Sequence, residues 1–196
     1  MQKEQIADIL KNPKKQQIIA ESDFHFQKGQ DALKKWLDMK ISDGLKTQLL
    51  ELSKDYDQIQ EEAKTNQEIK TVLEHLFEII SYCDSKAKDK LIYNQYEDKR
   101  CLAMAFVRMN NWVEHLILFK LNPTQLKVGS TKNAFNYLLD PGNNATILSE
   151  NHRELIIKNL SKKEFDSVNF VNDLKSLFRE FNISVKNPLN YTDLLS

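Results

Sequence analysis

Glycine and proline are scarce, with four of each in 196 residues, against usual frequencies of about 7% and 5%. Strand-rich folds use glycines in their turns, and dinucleotide loops use them for close backbone approach. Sandwiches, barrels and glycine-dependent nucleotide folds are therefore disfavoured. There are two cysteines, Cys83 and Cys101, both within helical patterns. Two such thiols make no disulfide framework, and they lack zinc-ligand spacing, so a reducing cytoplasmic setting is expected. The longest uninterrupted apolar run, Cys101 to Val107, is far short of the roughly 20 residues a membrane span needs. The first residues, MQKEQIADIL, lack the apolar core and cleavage site of a signal peptide. Net charge is absent as well: 28 Lys+Arg balance 28 Asp+Glu, which excludes a bulk polycation or an acidic tail.

What the chain does contain is helical periodicity. Residues 2–11 read as a short helix ended by Asn12-Pro13, because proline disfavours helical geometry in the residue before it. A segment with Phe24, Phe26, Leu33, Trp36 and Leu37 follows. Ser42 and Asp43 are candidate caps for a helix running to about Lys64, whose Leu45, Leu49, Leu52, Tyr56 and Ile59 recur at three- and four-residue steps. Thr65-x-x-Glu68 has capping-box spacing before Ile69, Val72, Leu73, Leu76, Phe77 and Ile80. The stretch 91–121 contains CLAMAFVRMNNWVEHLILFKL and is the expected central buried helix. Its expected core positions are Leu102, Phe106, Met109, Val113 and Leu116. Asn122-Pro123 stops it. Ser130 starts a helix to Leu139, DPGNN at 140–144 is a turn, and Ser149 caps the next helix. Ser161-x-x-Glu164 is a second capping box, ahead of a stripe of Val168, Val171, Leu174, Leu177, Phe178 and Phe181. The final residues, 191–196, read as a helix begun and not continued, so either the tail docks or the chain is a fragment of a longer one. The expectation is an all-α, single irregular multi-helix domain of eight or nine helices spanning 1–196, with room for a subdivision near 122–130.

Constellations that carry chemistry are few. His25, His75, His115 and His152 lie in different segments, and Glu74-His75 with Glu78 is not the paired Glu-x-x-His pattern of a di-iron bundle; no metal or cofactor is expected. Gly129-Ser130-Thr131-Lys132 lacks the full phosphate-loop pattern and has no strand before it. The one catalytic candidate is Arg108-Met-Asn-Asn-Trp-Val-Glu-His115. Seven helical steps turn about 700°, so Arg108 and His115 share a face, with Asn111 offset by about 60°. An arginine that holds a phosphate and an imidazole that moves a proton could cleave RNA. The spacing resembles the R-x(4–6)-H motif of the all-helical HEPN ribonucleases, with Met109 departing from it where that family usually has a polar residue. A second candidate is an anion-binding surface. No acidic residue occurs from His115 to Leu139, while Lys120, Lys127 and Lys132 are present and Arg153 follows near a helix start, where backbone N–H groups also favour anions.

The strings KNAFNYLLDPGNNATILSENHRELI, residues 132–156, and FNISVKNPLNYTDLLS at the end resemble accessory helical regions of McrBC-type restriction systems and related AAA+ defence proteins. That resemblance implies an accessory or recognition domain. The motor's own nucleotide-binding signatures are absent from it. The function expected is therefore a non-catalytic interaction or recognition module of a bacterial defence or nucleic-acid-processing assembly. A protein partner is expected, and nucleic acid is the second candidate through Lys120, Lys127, Lys132 and Arg153. One alternative is a HEPN-like ribonuclease using Arg108, Asn111 and His115; another is a purely structural helical subunit.

Overall fold

The computed structural model describes residues 3–20, 26–84, 98–161 and 163–183. Within them the chain is all-α, with ten α-helices and one π-helical turn and no strand. In chain order the helices are α1 (Lys3–Leu10), α2 (Pro13–Ala20), α3 (Gln27–Asp38), α4 (Asp43–Leu52), α5 (Tyr56–Thr65), α6 (Gln67–Cys83), α7 (Lys99–Leu121), α8 (Ser130–Leu139), α9 (Glu150–Ile156) and α10 (Phe170–Arg179). The π turn, Ile157–Ser161, follows α9 directly. The expected tail helix start at 191–196 and His25 lie outside the described residues. Two compact units result: one is Phe26–Lys127, the other combines residues 1–25 with 128–196.

The first unit is built from α3 to α7, with α6 packed against α3, α5 and α7, and α4 against α7. Its core includes Leu33, Trp36, Leu49, Ile59, Ile69, Leu76, Ile80, Met109, Val113 and Leu116, all essentially inaccessible. Three- and four-residue spacing on each helix directs these side chains inward. The expected long helix over 43–64 is divided. Asp55 takes an extended conformation and its side chain accepts from the Gln58 N–H at 3.0 Å, which starts α5 anew. Tyr56 and Ile59 stay buried because the chain resumes its helix on the same side. The cap of α6 is Asn66, not Thr65. Asn66 Oδ1 accepts from the Glu68 and Ile69 N–H groups at 3.0 and 3.2 Å, while Thr65 is the last residue of α5. An asparagine reaches the N2 and N3 donors as well as a threonine does, so the cap sits one position later and, with Ile69 at N3, no capping box forms.

Helix α7 also differs from expectation. Its buried residues are Ala105, Met109, Trp112, Val113, Leu116 and Ile117. Leu102 and Phe106 are only partly buried, with Phe106 meeting the edge of Tyr56 at a ring-centroid distance of 6.4 Å. The inner stripe is rotated toward Trp112, whose indole finds a buried acceptor, and the first half of the helix is not buried all round: Met104 and Val107 are each 60% exposed.

In the second unit Leu10, Ala145, Ile147, Ile157, Phe170, Leu174, Leu177 and Phe178 form one core. Ser149 caps α9 as expected, accepting from the His152 N–H at 3.5 Å. The second capping box forms no helix start. Ser161 instead donates its hydroxyl to the Ile157 carbonyl at 2.8 Å inside the π turn, and α10 begins only at Phe170. Val168, expected in the apolar stripe, lies before the helix and is 87% exposed, and Phe170 takes the buried place. After α10, Asn182 adopts φ 58°. The Ile183 N–H bonds to Phe178 O and the Asn182 N–H to Arg179 O, the Schellman closure that asparagine tolerates better than other non-glycine residues.

Candidate functional site

The catalytic candidate sits on α7, and the side chains around it are engaged in structure. Asp84, at the end of α6, is 5% exposed. Its Oδ2 accepts from Arg108 Nε and, at 3.0 Å, from the Trp112 indole N–H. Burying a carboxylate this deeply is costly unless it is paired and hydrogen-bonded, as it is here. The guanidinium expected to hold a phosphate therefore already holds an anion from the same chain. Asn111 is exposed on the adjacent side of the helix. His115 is half-buried, and its Nδ1 is buried with no hydrogen-bond partner. Desolvation holds its pKa below the ordinary 6.5, with Glu114 opposing the shift, so the imidazole is favoured in its neutral form. Seven residues of α-helix also separate the Arg108 and His115 backbones by roughly 10 Å along the axis.

Two residues that the sequence reading passed over hold this region together. Asp84, which ends α6, is the buried clamp for Arg108 and Trp112. Asn110 Oδ1 accepts from the Tyr56 N–H at 2.7 Å, satisfying one of the orphan donors at the start of α5. The available signal was a pair of asparagines flanked by core positions, which places at least one of them against a neighbouring element. Next to Asp84, burial and the adjacent carboxylate push the Cys83 thiol up to about 12, which leaves it protonated and unreactive.

The four expected anion-binding cations divide between the two units. Lys120 and Lys127 belong to the first, and Lys132 and Arg153 to the second. Lys120 Nζ donates to the carbonyls of Trp36 at 2.5 Å, Leu37 at 3.0 Å and Met39, and lies 4.6 Å from the Trp36 ring centroid. It thereby gives a donor to carbonyls at and just past the C-terminus of α3, of which that of Trp36 also accepts from the Met39 N–H at 3.3 Å, and a cation there suits the helix dipole. Burial pulls its pKa below the ordinary lysine value, with Asp38 opposing. Arg153 is 4% exposed. Its Nε donates to the Ile147 carbonyl at 2.6 Å, its Nη1 lies 3.5 Å from Glu150 Oε1, and its guanidinium stacks 4.8 Å from the Phe170 ring centroid. Glu150 Oε1 also accepts from Asn133 Nδ2 at 2.5 Å, and the same amide donates to the Leu148 carbonyl at 2.8 Å. The anion expected beside the start of α9 is thus supplied by the chain itself. Lys127 is exposed and Lys132 half-buried.

No group of three or more His, Cys, Asp or Glu side chains suited to a metal occurs among the described residues, and none of their helices is long and apolar enough to cross a membrane. The fold and these clusters define an all-α protein whose most conspicuous polar side chains brace its own helices. No protein-family model, curated protein or solved structure matches the chain.

Proposed function

We propose that this chain is a non-catalytic helical interaction module. The observation that carries this reading is the internal commitment of the chemistry-bearing side chains. Arg108 is spent on Asp84, Lys120 on the end of α3 and Arg153 on Ile147 and Glu150. Helical surface is what remains to meet another molecule. Its setting in a bacterial defence or nucleic-acid-processing assembly rests on the resemblance over residues 132–196, and cytoplasmic residence on the paucity of cysteine. The HEPN-like alternative retains one supporting feature, the neutral-favoured His115 with its unpartnered Nδ1.

The experiment is a paired assay on the purified full-length protein. Short RNA is incubated with the parent and with His115→Ala, and thermal midpoints are measured for both. Neither protein is expected to cleave, and the variant is expected to melt lower. Cleavage by the parent that disappears in a His115→Ala protein of unchanged midpoint would replace the module with the ribonuclease.

A further inference from the structure

Successive residues of a helix turn by 100°, so Arg100, Ala103, Met104, Val107 and Asn111 lie on one face of α7. The opposite face carries the buried Ala105, Met109 and Trp112. The solvent side of a surface helix ordinarily carries polar residues, and a segment apolar on every side is ordinarily covered on every side. CLAMAFV, residues 101–107, is apolar all round, yet the described residues of its own unit take up only the inner side. Met104 and Val107 each keep 60% exposure, and Ala103 beside them is also exposed. The charge that α7 itself carries at the N-terminal end of this face is basic: Lys99 and Arg100 are exposed and no acidic residue of the helix precedes Glu114, while Arg108 is paired with Asp84. Asp98, just before the helix, directs its carboxylate to the Arg100 N–H at 2.8 Å and the Cys101 thiol at 3.4 Å as the N-cap. The positive end of the helix dipole adds to Lys99 and Arg100.

We propose that this face of α7 docks an amphipathic helix of a partner protein. The partner's apolar stripe covers Met104 and Val107, and acidic residues flanking that stripe meet Lys99 and Arg100. The proposal rests on the interaction-module reading and names its surface. A helix matches because Ala103, Met104 and Val107 follow three- and four-residue steps, the spacing that a second helix packs against. Acidic flanks follow from charge complementarity, which selects partners more than it adds affinity. Nucleic acid fits less well: a backbone-binding face places cations, or aromatic rings for stacking, at its centre. Here the centre is Met104, Val107 and Ala103, and the cations stand at the rim.

The test places p-benzoylphenylalanine at Met104 in the full-length chain, with the same substitution at Val168, 87% exposed in the other unit, as the reference position. Irradiation is performed on the purified protein and in the source cells, and the cross-linked peptides are sequenced. The expected result is no product from the purified protein and, in cells, a product at 104 whose partner peptide is an acid-flanked amphipathic helix. Val107→Glu in the same chain sets a carboxylate against that stripe and its acids, and is expected to cut the yield at least about tenfold. Cross-linking from 104 to the chain's own residues 85–97, to a second copy, to nucleic acid, or to a segment without acidic flanks overturns the proposal. Products at 168 with none at 104 overturn the docking face and leave the module reading standing. Absence of any product at both positions overturns both.

Discussion

In the C-terminal half of α7, Trp112, Val113, Leu116 and Ile117 are buried, the Leu116 carbonyl receives the Trp36 indole N–H at 3.0 Å, and Lys120 reaches the end of α3. In the N-terminal half, Met104 and Val107 stand 60% exposed although the local sequence is at least as apolar. The difference is one of neighbours. The second half is tied to α3 through the Trp36 indole and the Lys120 ammonium, whereas the described part of the first half meets its unit on one side only. Apolar composition thus measures what a segment can bury, and tertiary contacts decide how much of that capacity is used. The same contrast separates the polar residues. Arg108 is half-exposed yet bound to Asp84, and Lys120, itself part-buried, is bound to three carbonyls at and just past the end of α3.

The sharpest way to break this comparison is truncation along α7. Leu116→Ala is expected to cost about 2–5 kcal/mol, because it opens a cavity in a packed core. Val107→Ala is expected to stay within about 0.5 kcal/mol, as for other exposed sites. Urea denaturation of the two variants measures both, and a similar loss in each would show that the outer face is covered. A smaller effect is expected at the joint between the halves. Asp84→Ala leaves the Trp112 N–H buried without its acceptor and Arg108 without its anion, at a cost of about 2 kcal/mol. Asp84→Asn, which can keep an acceptor for the indole, should recover part of that loss. Equal stability of all three proteins would mean that the clamp contributes nothing.

The smallest effect expected is the pH response of His115. Burial lowers its folded-state pKa below 6.5, so the unfolded chain binds the proton more tightly and protonation favours unfolding. The stability contributed by the neutral imidazole is complete above about 6.5 and is lost as pH falls from there through the folded value. Between about pH 7.5 and 5.5, His115→Gln should therefore lose less stability than the parent does. A steeper loss in the variant would reverse the sign assigned to this group.

Much of the fold was legible because it depends on local rules. The scarcity of glycine, the three- and four-residue spacing of Leu45, Leu49 and Ile59, and the caps at Ser42 and Ser149 all express geometry within one turn or two. Errors arose where two local solutions were equally good. Asn66 and Thr65 are adjacent cap residues, and only the path of the chain selects between them. Asp55 could sit within a helix or cap a new one, and it caps.

The candidate site was less legible, because its meaning lies in partners distant along the chain. By itself the sequence determined that this protein is all-α, that it carries apolar stripes on most of its helices, and that Arg108 and His115 face one way. Tertiary structure alone decided that Arg108 answers to Asp84, that Lys120 closes α3 from more than 80 residues away, and that Arg153 is enclosed beside Phe170. Helix formation is governed by neighbours in sequence, which a sequence displays directly. The employment of a charged side chain is governed by the neighbour it meets in space, and the energy of leaving a buried charge or carbonyl unpaired selects that neighbour only once the helices have packed.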